Sequence, residues 1–333
     1  MRKILLISIA VLGSFLLSGC FKYDGADLVK DLSKKINNAS AYHLEGELEI
    51  INNEDNYQYA VDVAYEKDDH FRVSLKNKNN NHEQIILKNS DGVYVLTPSL
   101  NKSFKFQSEW PYNNSQIYLL QTLIKDLKND KKLIFKENEN GYVLTAKVNY
   151  ASNKNLVKQN VYVDKKLNIT SVHVINADNQ VQMKMTFSKV DMKAKYNDNY
   201  FALKENMQTI ASDDTTKPVT KIETIVYPMY MPENTHLSSQ DKVTKEVGER
   251  IILTFDGDKP FMLVQETASA EEETLTIPVY GEPLVLTDTI GAVSDTSANW
   301  ISNGIEYYVI SDVLSQEEIV AIAQSISVMP VGK

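Results

Sequence analysis

A chain of 333 residues that is 43% hydrophobic and 24% charged has the balance of a globular protein and the length for two domains. Its charge is unevenly spread: residues 20–211 carry 26 Lys+Arg against 24 Asp+Glu, whereas residues 212–333 carry 7 against 20, a net of −13. That shift supports a boundary near residue 212, and the lack of a basic stripe to neutralise phosphates argues against nucleic acid as a partner.

Arg2 and Lys3 precede an apolar run, Ile4 to Leu17, broken only by Ser8, Gly13 and Ser14. The run is shorter than the about 20 residues that span a bilayer, and its flanks are those of a secretory signal. Leu17-Ser18-Gly19-Cys20 then has lipobox form, a Leu and two small residues before the one cysteine of the chain. Residues 1–19 are therefore expected to be removed as a signal peptide. Cys20 becomes a lipidated first residue, its thiol carrying a diacylglyceryl group that tethers the chain to the extracytoplasmic face of the membrane. Each buried methylene contributes about 0.8 kcal/mol, so two acyl chains hold far more firmly than one. The plainer alternative is an ordinary signal peptide with a stray cysteine. With a single thiol, no intramolecular disulfide can form.

Asp24 to Asn37 spaces Leu28, Leu32 and Ile36 four apart, which predicts an amphipathic helix. From Tyr42 the apolar period becomes two, as in a strand wet on one face. Further strands are expected near 56–66, 70–76, 83–88, 92–97 and 103–107, separated by polar turns that include Asp91-Gly92. Ser115 to Leu127 reads as a helix, with Ile117, Leu120, Ile124 and Leu127 on one face and Ser115 as a cap. Strands resume near 133–137, 142–148, 156–163, 169–175 and 181–190. About eleven hairpin-linked strands exceed a comfortable flat sheet, so the sheet is expected to curl. "SDDTTKP", Ser212 to Pro218, reads as a linker. Beyond it come strand-like "KIETIVY", a hairpin in "RIILTFDGDKPFMLVQE", short strands in "LTIPVYG" and "PLVLT", and a hairpin turning at Asn303-Gly304. Ser315 and Glu318 form a capping box for a last helix. The expected class is α+β: 1–19 a signal peptide, 20–211 a curled antiparallel half-barrel with a helical lid, and 212–333 a small acidic α+β domain.

This order of elements, with the wording of "YEKDDHFRVSLKN" and "EQIILKNSDGVYVLTPSLNKSFKF", resembles the LolA/LppX/RseB group of lipoprotein carriers and envelope sensors over about residues 24–203. "WISNGIEYYVISDVLSQEEIVAIAQSI" resembles the C-terminal domain of YdcC-type sporulation lipoproteins, and GerS-type germination lipoproteins share the first domain. The resemblance implies a concave apolar face under a helical lid, and a role in sporulation or spore germination. In LolA such a face holds acyl chains; RseB-like proteins use the same fold to sense lipoproteins and bind a regulator. Candidate lining residues are Leu44, Leu48, Val61, Val63, Phe71, Val73, Ile85 and Leu87, with Leu120 and Ile124 in the lid. The tyrosine-rich strands suit a wet-edged cavity and ordinary strand packing alike.

Catalytic signatures are absent. "HEQII" has Ile86 where a zinc helix needs its second His, and His43, His70, His82, His173 and His236 show no ligand spacing. No phosphate loop, G-x-S-x-G elbow or nucleophilic Cys occurs, and Asp256-Gly257-Asp258 reads as a hairpin tip. The expectation is a protein that is not an enzyme and needs no metal or cofactor. It either holds an apolar ligand or acylated polypeptide, or binds an envelope protein without lipid cargo.

Overall fold

The computed structural model describes residues 23–52, 55–150, 153–208, 219–269, 274–286 and 288–326. The signal peptide, Cys20 and the Ser212–Pro218 linker lie outside the described residues. The class is α+β, with two sheets and four α-helices among the described residues.

Helix α1 (Gly25–Asn37) starts at Asp24, whose carboxylate accepts from the backbone N–H of Ala26 at 2.8 Å and Asp27 at 3.0 Å. Asp27 reaches back to the Asp24 N–H, a capping box that satisfies otherwise orphaned donors. Its Leu28, Leu32 and Ile36 are buried. A meander follows: β1 (Ala41–Asn52), β2 (Asp55–Glu66), β3 (His70–Asn77), β4 (Glu83–Asn89), β5 (Gly92–Thr97) and β6 (Lys102–Gln107). After α2 (Leu120–Asn129) comes a second meander: β7 (Ile134–Asn138), β8 (Gly141–Lys147), β9 (Leu156–Asp164), β10 (Ile169–Asn176) and β11 (Val181–Asp191). β1 pairs with β11 and joins the two meanders into one sheet. The joint is a β-bulge at Glu45/Gly46, where Gly46 is required: a Cβ there would lie 2.2 Å from the Thr186 carbonyl oxygen.

The expected helix from Ser115 starts five residues late. Ser115 donates from Oγ to Asp126 at 2.7 Å and accepts from the Asn149 N–H, so it is not free to cap. A short α3 (Leu203–Gln208), not foreseen, follows the first sheet.

The second sheet runs in the order β12 (Thr235–Thr244), β13 (Glu249–Gly257), β14 (Phe261–Thr267), β19 (Ile305–Ile310), β18 (Ser297–Ser302), β17 (Ile290–Val293), β16 (Glu282–Val285), all antiparallel. Helix α4 (Gln316–Ile326) covers one face with Ile319, Ile322 and Ala323, and its Ser315–Glu318 box forms as expected. "KIETIVY" is not a strand. The amide of buried Gln265 takes its backbone instead, accepting from Val226 N–H at 3.0 Å and donating to Val226 C=O at 2.6 Å.

The first sheet has twelve strands, because β15 (Leu275–Tyr280) crosses from the second region and pairs parallel with β6. The sheet remains open, with β15 and β7 at its edges. The regions are joined further by a buried ion pair, Lys102 Nζ to Glu306 Oε2 at 3.2 Å. Gln84 acts as a short substitute strand, accepting from Ile290 N–H at 2.6 Å and donating to Ile290 C=O at 3.3 Å.

Candidate functional site

Pairing register decides which side chains face the inner side of the first sheet. One apolar row runs across eight strands: Val190, Leu44, Val63, Val73, Ile86, Val95, Phe104 and, from β15, Ile277. These residues belong to or pack against one core that also takes in α1 and α2. Leu44, Leu48, Val61, Val63, Phe71, Val73, Leu120 and Ile124 all join that core, and each is at most 3% exposed. They fill the inner face themselves, and of the eight only Leu48 also borders an open space.

Ile85 and Leu87 do not belong with them. Val73 pairs with Ile86, so Ile86 takes the inner position and its neighbours point the other way. There they pack with Tyr94, Leu96, Phe201 and Met207, under the segment that carries α3. β4 and β5 are thus covered on both faces, which is why "IIL" and "VYVL" run continuously apolar instead of alternating.

An open space of about 120 Å³ lies at one end of the inner face. It is lined by Leu48, Ile117, Tyr118, Tyr150 and Met183 on one side, and by Leu284, Leu286 and Val320 of the second region on the other. Of the expected lining residues only Leu48 reaches it. An apolar cavity of about 150 Å³ accommodates benzene, so by volume this one suits a single ring or a short alkyl segment and not a diacylglycerol, with Asn114, Gln116, Gln182 and Gln324 lining it beside the apolar side chains. Tyr150 Oη is buried with no hydrogen-bond partner among the described residues, and burial pushes the Tyr150 and Tyr118 phenols up. Nearby, Asp126 accepts from Ser115 Oγ at 2.7 Å and Gln159 Nε2 at 3.0 Å. Burial outweighs those bonds and raises its carboxyl to about 6.

On the outer face the fold gathers residues that look unrelated in sequence. His43 and Glu45 share a face of β1, and pairing of His43 with Ala64 brings Asp62 alongside. His43 Nε2 lies 2.6 Å from Asp62 and Nδ1 lies 3.8 Å from Glu45, a spacing compatible with a metal ion. Both carboxylates already have cations: Arg72 lies 3.3 Å from Asp62, and Lys189 lies 2.6 Å from Glu45. The group is better described as an ion-pair network on a sheet surface. Period-two spacing of His43 and Glu45 was its sequence signal, but Asp62 needed the register.

No helix among the described residues is long and apolar enough to cross a membrane. No family model matches the chain. Across 327 residues it is 35% identical to the sporulation protein YdcC of Bacillus subtilis, covering 97% of this chain and 96% of that one. Among solved structures, the Pseudomonas aeruginosa MucA/MucB complex matches at 12% identity with a TM-score of 0.35, covering 91% of this chain and 98% of that chain. The Clostridioides difficile CwlD amidase in complex with the GerS lipoprotein matches at 18% identity with a TM-score of 0.31, covering 52% and 95%. A LolA superfamily protein from Nitrosomonas europaea matches at 10% identity with a TM-score of 0.29, covering 53% and 98%. By its near full-length identity to YdcC, the chain belongs to that family of sporulation proteins.

Proposed function

We propose that this is a non-enzymatic sporulation lipoprotein, anchored through Cys20 on the extracytoplasmic face of the membrane, that docks an envelope protein instead of carrying lipid. The observation behind the choice is the filled inner face: eight residues expected to line a cargo groove are core side chains. Recognition falls to the surface, where the net −13 of residues 212–333 attracts a basic partner and raises its on-rate. The division at about residue 212 then separates an anchored unit, 20–211, from a recognition unit, 212–333, with β15 and the Lys102–Glu306 pair fixing one to the other. A second reading is supported by the 120 Å³ cavity, which suits one apolar group of a ligand beside the Tyr150 hydroxyl, unpartnered among the described residues.

The test is a pull-down of the chain from sporulating cells at low and high salt, with mass spectrometry of both bound proteins and extracted lipids. A specific protein partner lost at high salt supports docking. Stoichiometric diacyl lipid with no protein partner would overturn it in favour of a carrier. Palmitate labelling of wild type, absent from Cys20→Ser, checks the anchor separately.

A further inference from the structure

The described chain begins at Tyr23, three positions after Cys20, and three extended residues span about 10 Å. A lipid on Cys20 therefore enters the membrane within about 10 Å of Tyr23, which fixes the part of the surface held closest to the headgroups. Tyr23 packs its ring against Tyr142 and donates from Oη to Asp31 at 3.0 Å, so the exit point is seated on the fold.

Two adjoining depressions lie beside that exit. One is rimmed by Asp24, Lys30, Lys128 and Lys131 around Val29, Leu127, Leu133 and Phe135. The other shares Lys131 and adds Lys125, Lys132 and Lys147. Together they are lined by six lysines and three aspartates, Asp24, Asp126 and Asp130, with no glutamate. The aspartates are occupied locally: Asp24 caps α1, Asp130 accepts the N–H groups of Lys132 and Lys147 at 2.8 Å, and Asp126 is held by Ser115 and Gln159. Lys30, Lys128, Lys131, Lys132 and Lys147 are exposed and make no ion pair among the described residues.

We infer that this lysine-rimmed surface, formed by α1, α2 and the turn into β7, is a second membrane contact that binds anionic lipid headgroups beside the anchor. The inference rests on the anchored reading for its biological setting, but the binding it describes is a property of the folded surface. A lysine near an anionic bilayer contributes about 1 kcal/mol, roughly a fivefold change in affinity. Screening confines the attraction to about a Debye length, about 10 Å at 0.1 M salt, the same distance the anchor allows. The same headgroups repel residues 212–333, with their net −13. The protein is thereby oriented, with the lysine surface down and the acidic unit kept free for a basic partner.

Both sheets, the four helices and all three core clusters of the described residues are built from residues after Tyr23, so a chain starting at Phe21 keeps them and carries no lipid. Its sedimentation with vesicles of phosphatidylcholine containing 30% phosphatidylglycerol, compared with phosphatidylcholine alone, tests the inference. Binding is expected only to the anionic vesicles and is expected to disappear in high salt. Lys128→Glu/Lys131→Glu/Lys132→Glu should weaken it by roughly 100-fold, while Lys193→Glu/Lys195→Glu/Lys204→Glu, with the same change in net charge, should weaken it by less than about threefold. Equal binding to both vesicles, or equal loss in both triple variants, would overturn it. Palmitate labelling is unaffected by either outcome, so failure of this surface and failure of the anchor are distinguishable.

Discussion

Lys102 opens β6 and Glu306 sits in β19, so their ion pair ties the two sheets together, with side chains only 6% and 8% exposed. Replacing Lys102 by Met keeps the length of the side chain and leaves the Glu306 carboxylate buried without its cation. Breaking a buried pair from one side costs about 3–5 kcal/mol. Glu306 retains Tyr308 Oη at 2.6 Å and Asn299 Nδ2 at 3.4 Å on its other oxygen, which argues for the lower end, about 3 kcal/mol. Domains are stable by about 5–15 kcal/mol, so the loss is a large fraction of the whole. Lys102→Met/Glu306→Leu removes both charges and should return to within about 1 kcal/mol of wild type. Urea unfolding read by fluorescence can follow each core by itself, because Trp110 lies in the first and Trp300 in the second. With Trp300→Phe or Trp110→Phe backgrounds, the wild type should show one midpoint for both reporters and Lys102→Met should separate them. A single-variant loss under about 1 kcal/mol, or additive losses in the double variant, would refute the reasoning.

Gly46→Ala should cost several kcal/mol or prevent folding, because the new Cβ meets the Thr186 carbonyl; an unchanged urea midpoint would count against the bulge. Asp126 has its folded pKa raised from 3.8 to about 6, so the native state binds the extra proton and stability falls as pH rises through that window, by up to about 3 kcal/mol. Asp126→Asn should flatten the fall between pH 4 and 7 and be more stable than wild type above it, as thermal melts across pH would record. Gln84→Ala leaves the Ile290 N–H without its acceptor and should cost about 1–3 kcal/mol, with faster hydrogen exchange at Ile290. Tyr150→Phe removes a buried hydroxyl that has no partner among the described residues and should be neutral or stabilising by up to about 1 kcal/mol in urea unfolding.

The elements that the sequence foretold are those in which one face is wet. β1 alternates cleanly because its outer side carries His43, Glu45, Glu47 and Glu49; α1 announces itself by the four-residue spacing of its buried Leu28, Leu32 and Ile36, and α4 by a capping box that forms as expected. What escaped depends on partners distant in the chain. β12 is exposed along almost its whole length and has no apolar period, so only its pairing with β13 makes it a strand. β15 looked like part of the second region because it lies there in sequence, yet Leu275 to Tyr280 pair with Lys102 to Gln107.

The misplacement of Ile85 and Leu87 has a purely geometric cause. Across an antiparallel pair the residue numbers of partners have a constant sum, and the loop between the strands sets whether that sum is even or odd. Between β2 and β3 it is even, pairing Val63 with Val73, so odd-numbered residues stay on the inner face. Between β3 and β4 it is odd, pairing Val73 with Ile86, so the inner face passes to even numbers. The decision is made in the Asn-rich turn, Lys78 to His82, where Asn81 adopts a φ of 57°. A polar turn of that kind shows that the chain reverses but not how many residues it uses to do so, and a one-residue difference sends every following side chain to the other face. A wet outer face would have revealed the switch through misplaced charges. Here the segment bearing Phe201 and Met207 covers that face, both parities of β4 are apolar, and the signal is erased.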